Sequence, residues 1–231
     1  MKDLVSEYNR ILHGVAPEDI LSFFSVRYQG QISFSTSLGA EDQVLTDMIC
    51  RVDPLIKIFT LDTGRLFQET YDLMNITEKK YGIKIRLIFP AAEKVENMVR
   101  EKGINLFYDS VENRKLCCHI RKIEPLQRAL EGTKIWISGV RKEQSVTRQD
   151  VDLVEWDESR QVIKLSPLIE WNESQVWDYL KVNNVPYNEL HSKGFASIGC
   201  QPCTRAINPG ESVRSGRWWW ELPENKECGL H

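Results

Sequence analysis

The sequence predicts an α/β protein: a twisted, mostly parallel sheet wound by helices. Three observations carry that expectation. Strand-like apolar runs recur at 31–37, 55–61 and 83–89. Each is followed by a segment that reads as a helix, at 41–51, 66–81 and 93–101. Such alternation builds parallel sheets, because each crossover between parallel strands takes a helix. The first two strands also open into polar, glycine-containing turns, which belong on the ligand-binding edge of an open α/β sheet.

Taken in order, QISFSTS (31–37) reads as a strand entering a loop and EDQVLTDMICR (41–51) as an amphipathic helix. LIKIFTL (55–61) is a second, buried strand with a helix over 66–81, and IKIRLIF (83–89) a third with a helix over 93–101. In NRKLCCHIRKIEPLQRAL (113–130), Leu116, Ile120, Ile123, Leu126 and Leu130 recur at helical spacing. Pro125 should kink or break that helix, since proline donates no hydrogen bond and crowds the preceding turn. KIWIS (134–138) is a further strand, 141–150 a charged loop, 151–156 with 161–165 a hairpin, and 172–182 a helix. After Pro186 the chain turns glycine-rich and irregular. From residue 205 it is basic, then aromatic, and ends in ECGLH. The expected organisation is an α/β domain over 1–204 and a mobile tail over 205–231.

The 231 residues, 42% hydrophobic and 27% charged, suffice for a core without disulfides. A net charge of -3 argues against broad nucleic-acid binding. No apolar run reaches the roughly 18 residues of a membrane span, and MKDLVSEYNR has no apolar signal region. A cytoplasmic, reducing location is therefore expected. There, clustered cysteines serve as metal ligands or redox catalysts more often than as disulfides.

Ser35 to Asp42 runs from strand to helix and offers backbone N–H groups to an anion. It lacks the Gly-Lys-Ser/Thr of a Walker A loop, and an ordinary capped turn reads equally well. Leu61-Asp62-Thr63-Gly64-Arg65 opens on the same edge. The strongest constellation is Cys117-Cys118 with Cys200-Gln-Pro-Cys203. Four thiolates hold a zinc ion or an iron–sulfur cluster. Neighbouring helical side chains diverge by about 100°, which favours a cluster with its separated irons; a buried structural Cys118 is the alternative. Cys50, on an apolar helix face, reads as core. Arg114, Lys115, Arg121 and Lys122 crowd the tandem pair; Arg141, Lys142 and Arg148 fill the charged loop, and Arg205, Arg214 and Arg217 follow the second pair. In an acidic chain this pattern suggests a focused site for a small anion, although a single such charge is usually solvated surface. Lys122, one turn beyond Cys118, shares its face. Cys228, in Glu227-Cys228-Gly229-Leu230-His231, lies apart from the tetrad and reads as a nucleophile, helped by the nearby imidazole and arginines; a stray exposed thiol is the plain alternative.

Together these segments resemble the bacterial assimilatory adenosine 5′-phosphosulfate reductases, the thioredoxin-dependent, cluster-containing branch of the phosphosulfate reductase family. The resemblance spans about 31–231 and rests on Ser35 to Asp42, LDTGRLFQET (61–70), LCCHIRKIEPL (116–126), SGVRKEQSVTR (138–148), PYNELHSKGFASIGCQPCTR (187–205), GRWWWE (216–221) and ECGLH. It implies the ATP pyrophosphatase (adenine nucleotide hydrolase-like) fold, with the SGGxDS loop altered. It implies one four-iron four-sulfur cluster on Cys117, Cys118, Cys200 and Cys203, Cys228 as nucleophile and His231 near the reacting group. Lys122, Arg214 and Arg217 would lie by the phosphosulfate, Ser35, Ser37, Leu61 and Gly139 in nucleotide-contacting loops, and Arg141 and Arg148 among the substrate-binding residues. A thioredoxin or similar dithiol protein is the expected partner, with homo-oligomerisation left open. The rivals are the sister enzyme of the 3′-phosphorylated substrate, which typically lacks both cysteine pairs, an ATP-dependent thiolation enzyme, and a noncatalytic cluster-bearing nucleotide sensor.

Overall fold

The computed structural model describes residues 2–144, 148, 150–222 and 226. Six strands form its sheet: β1 (Ile32–Ser35), β2 (Lys57–Leu61), β3 (Arg86–Ile88), β4 (Ile135–Ile137), β5 (Val154–Asp157) and β6 (Val162–Leu165). Their order is β3-β2-β1-β4-β6-β5. The β1–β2, β1–β4 and β4–β6 pairs are parallel, and β5–β6 is the expected antiparallel hairpin. Every residue of β4 is buried, as befits a central parallel strand covered on both faces. The chain order reverses between β1 and β4, so the loops leaving these two strands flank the switch point where open sheets bind ligands.

The helices are α1 (Lys2–Ile11), α2 (Pro17–Arg27), α3 (Ala40–Val52), α4 (Gln68–Tyr81), α5 (Ala92–Lys102), α6 (Val111–Cys118), α7 (Glu124–Ala129) and α8 (Glu173–Val182). The first two have no counterpart in the sequence reading. For α2 the signals are local: Pro17 opens it, Glu18 and Asp19 face its positive end, and Arg27 its negative end. Asn172 and Gln175 close a reciprocal capping box on α8. The expected strand over 83–89 shrinks to the three residues of β3, an edge strand on which Leu87 is exposed.

Two compact units result. The first takes the described residues up to Thr60, then Asp72–Arg86 and Leu130–Asn188; the second takes Leu61–Tyr71, Leu87–Ala129 and the described residues from Glu189 onward. The first holds the main core, where Phe24, Phe34, Leu45, Met48, Ile137 and Ile163 are buried together. Asp47 of α3 accepts hydrogen bonds from Tyr81 and Tyr179, each at 2.8 Å, and so ties α3 to α4 and α8. Cys50 packs against this core as expected, and burial with the nearby Asp47 pushes its thiol up to about 11.

Candidate functional site

In the second unit, Cys117 and Cys118 close α6, and the chain continues without a break through a π-helical turn, His119–Ile123, into α7. The turn explains why Pro125 does not end the helix: a wider i→i+5 step passes over the hydrogen bond that proline cannot make. Cys200 and Cys203 flank a short 3₁₀ turn in which the Cys203 N–H donates to the Cys200 carbonyl at 3.0 Å. All four cysteines are buried in one cluster with Met98, Leu106, Phe107 and Trp218. They line a cavity of about 350 Å³, open mouth included, together with Arg114, Arg121 and Lys122. Among the described residues, no three Cys, His, Asp or Glu form a group that could hold a metal ion.

The thiols of the tetrad differ. Burial pushes Cys117 up, and burial with the neighbouring Cys200 pushes Cys203 up to about 12. At Cys200 burial acts in the same direction, but Lys122, the Thr63 hydroxyl at 3.3 Å, Arg217 and Arg121 outweigh it and hold the thiol below its usual range. Arg121 is fixed by its bond to the Thr63 carbonyl at 2.6 Å. The loop after β2 thus serves the cysteines through Thr63, a role the sequence reading missed; a threonine beside the glycine of LDTG was the available signal. Three buried N–H groups here, Arg121 Nε, Arg217 Nε and Trp218 Nε1, have no hydrogen-bond acceptor among the described residues. Buried donors are seldom left so, and these would suit a group rich in acceptor atoms. A cluster carries sulfides and thiolates of that kind, and it binds each thiolate to a different iron, so its ligands need not converge on one point.

The segment after Cys203 is bolted to this cavity. Arg114, fully buried, donates to Glu221 at 3.0 and 2.8 Å. Burial opposes the Arg114 charge, but Glu221 prevails and holds the guanidinium above its usual range. The Trp218 ring centroid lies 4.7 Å from both the Arg114 and Arg217 guanidinium carbons, and the Trp218 backbone N–H donates to the Cys203 carbonyl at 3.1 Å. Its φ of +40 is one that a tryptophan rarely adopts. A Cβ at Gly199 would overlap the Arg217 guanidinium. Arg214 donates to the Lys226 carbonyl at 2.8 Å. Cys228 and His231 lie outside the described residues.

The first unit carries the other expected site residues. Ser35 ends β1, and its oxygen accepts from the indole N–H of Trp136 at 2.7 Å. Ser37 donates from its N–H and its hydroxyl, each at 2.6 Å, to Asp42, whose carboxyl is raised to about 6 by burial against those two bonds. Gly139, after β4, touches Asp42 so closely that a Cβ would overlap the carboxylate. Arg141 is buried in ion pairs with Glu41 at 2.8 Å and Glu143 at 3.5 Å, and Arg148 binds Gln144. The structure therefore joins Ser37, Gly139 and Arg141 through Asp42 and its neighbour Glu41. In the second unit, Leu61 ends β2, and Lys122 and Arg217 act on the cysteines.

The model of the phosphoadenosine phosphosulfate reductase domain matches residues 31–206. The chain is 52% identical over 200 residues to a protein of Allochromatium vinosum named adenosine 5′-phosphosulfate reductase, covering 87% of this chain and 78% of that one. It is 51% identical over 201 residues to the protein of that name in Burkholderia cepacia, covering 87% and 80%. The phosphoadenylyl-sulfate reductase of Candida auris, solved as a phosphate complex, is similar with a TM-score of 0.76 at 28% identity, over 90% of this chain and 98% of that one. Yeast FAD synthetase, solved with FAD, shares the fold at 18% identity, with a TM-score of 0.58 over 90% and 68% of the two chains.

Proposed function

The chain belongs to the phosphoadenosine phosphosulfate reductase family, and on that footing we propose that it reduces adenosine 5′-phosphosulfate to sulfite and AMP in assimilatory sulfate reduction. The observation that carries this is the half-identity to proteins of that activity over 87% of the chain. The four buried cysteines support the cluster-bearing branch: they line one cavity with Arg121 and Trp218, whose Nε and Nε1 N–H groups have no acceptor among the described residues. Cys117, Cys118, Cys200 and Cys203 would hold one four-iron four-sulfur cluster. When bound, it supplies fixed charge and order to the cavity, and it passes no electrons to the substrate.

In this reading the Cys228 thiolate attacks the sulfate sulfur. A sulfur–sulfur bond forms, the bond from sulfur to the phosphate oxygen breaks, and AMP leaves with the electron pair. The product is a cysteine S-sulfonate. One thiolate of a thioredoxin-type dithiol then attacks the Cys228 sulfur and sulfite departs with the electron pair, leaving a mixed disulfide. The second thiol attacks the partner's sulfur in that bond, closing the dithiol to a disulfide and releasing the Cys228 thiolate, so that the dithiol supplies the two electrons. Ser35, Ser37, Leu61, Gly139, Arg141 and Arg148 would bind the nucleotide, and Lys122, Arg214, Arg217 and His231 would stabilise charge passing to the leaving phosphate. Residues 205–231 act as the tail that presents the nucleophile. Among the described residues no helix is long and apolar enough to cross a membrane; the reading places the enzyme in the cytoplasm, where reduced dithiols are available.

The test is sulfite release by anaerobically purified protein with reduced thioredoxin, from the substrate with and without a 3′-phosphate. Higher kcat/KM for the compound lacking that phosphate is the expected result. The reverse preference assigns the chain to the sister activity, and no release from either compound removes the proposal.

A further inference from the structure

We propose that Trp136 is a positioning residue for Ser35: its indole N–H holds the serine oxygen, so that the serine proton is offered to an acceptor atom of the bound adenine nucleotide. This rests on the nucleotide reading of the β1 loop given above. An indole nitrogen only donates, so at 2.7 Å the Ser35 oxygen must be the acceptor. With that lone pair occupied, the hydroxyl directs its own proton elsewhere, and only an acceptor can receive it: a ring nitrogen of the base or an oxygen of the ribose. The bond therefore fixes both the direction and the polarity of what Ser35 presents at the edge of the sheet.

Packing alone does not call for this side chain. Trp136 is 1% exposed in a three-residue strand whose other members are isoleucines. Phenylalanine would fill much of the space without an N–H that needs a partner. Two pinned cations also lie near the ring. The Arg160 guanidinium carbon lies 5.5 Å from its centroid, with Arg160 held by Asp157 at 2.6 Å. Lys164 Nζ lies 5.9 Å away, with Lys164 held by Glu155 at 3.4 Å. Both distances are near the outer limit of about 6 Å for such contacts. A cation near the ring draws electron density from it, which strengthens the indole N–H as a donor. Two residues before Ser35, Ser33 is buried and hydrogen-bonded to Thr133 at 2.8 Å. On this face of β1, Ser35 is the less buried hydroxyl, and Trp136 sets how it is presented.

The experiment uses anaerobic, iron-loaded enzyme with AMP as the probe, and measures its Kd by calorimetry for wild type, Ser35→Ala, Trp136→Phe and the double variant. Each single variant should weaken AMP binding about fivefold, the scale of one neutral hydrogen bond, at unchanged iron content and circular dichroism. The double variant should be no more than about twofold weaker than Trp136→Phe. For the sulfate donor, KM should rise more than kcat falls, which a merely structural loss would not produce. Additive losses, or wild-type binding by Trp136→Phe while Ser35→Ala is weakened, would overturn the proposal and leave the nucleotide reading standing. Wild-type binding by Ser35→Ala would remove that reading of Ser35 and the proposal with it. Should Trp136→Phe fail to fold, one indole ¹⁵N–¹H resonance of the wild type must respond both to AMP and to Ser35→Ala; a spectrum with none overturns the proposal.

Discussion

Replacing Glu221 by alanine should loosen the segment around Trp218 far more than a surface charge change would. Arg114 and Glu221 have side chains 0% and 3% exposed, joined by charge-assisted bonds of 3.0 and 2.8 Å. Removing Glu221 leaves the buried Arg114 guanidinium without its carboxylate, and breaking a buried pair in this way costs about 3–5 kcal/mol. Native stability is only about 5–15 kcal/mol, so the loss should appear as local opening before global unfolding. The reporter is the Trp218 amide, bonded to the Cys203 carbonyl. In hydrogen exchange of the iron-loaded protein, its protection should fall by about a hundredfold or more. Arg114→Met with Glu221→Leu should recover most of the protection, because an apolar pair of similar volume leaves no stranded charge. Protection lost less than tenfold in Glu221→Ala, or no recovery in the double variant, would refute the reasoning.

Three further outcomes follow from the same geometry. Because the folded Asp42 carboxyl lies at about 6, above its unfolded value of 3.8, the fold holds a proton that the unfolded chain has lost. Stability should therefore fall by about 3 kcal/mol as pH rises from about 4 to about 6 and then level off, and urea titrations of Asp42→Asn should show that fall abolished. Gly139→Ala forces a methyl onto the Asp42 carboxylate and should weaken AMP by about tenfold or more in calorimetry. Cys228→Ser should keep iron, sulfide and AMP binding while losing sulfite release; wild type given substrate without dithiol should carry its sulfonate on the Cys228 peptide, and mass spectrometry that finds the adduct on Cys50 or a tetrad cysteine contradicts the mechanism.

Elements with strong periodicity were legible: α3, α4, α5 and α8 lie where the apolar spacing puts them, and the hairpin falls at β5 and β6. Where the pattern misled, the cause is local. Pro125 signals a break, but a π turn absorbs it, and no spacing in 113–130 announces a change of helical register. The cysteine tetrad was legible as a set because thiols are rare and its members cluster in sequence. Its surroundings were not. Thr63 and Glu221 act through contacts over 137 and 107 residues of chain, and the spacing around the cysteines does not mark them. In the sequence Trp136 is only an aromatic in an aliphatic strand, and nothing there shows that its N–H meets Ser35.

Charge shows the same limit more sharply. Counting cations near the cysteines and in the loop after β4 suggests a focused anion site. The fold gives many of these charges carboxylates of their own: Arg114 has Glu221, Arg141 has Glu41, and Arg205 has Glu211 at 2.9 Å. Such pairs are close to neutral at a distance, so they steer an incoming anion less than their number implies. Lys122, Arg121 and Arg217 have a different effect. They are buried, their fields are poorly screened, and at Cys200 they overcome the desolvation that pushes Cys117 and Cys203 up. The same three charges that sequence spacing sets beside the cysteines therefore lower the Cys200 thiol while Cys117 and Cys203 stay raised, and that difference depends on burial and distance, which a list of residues does not contain.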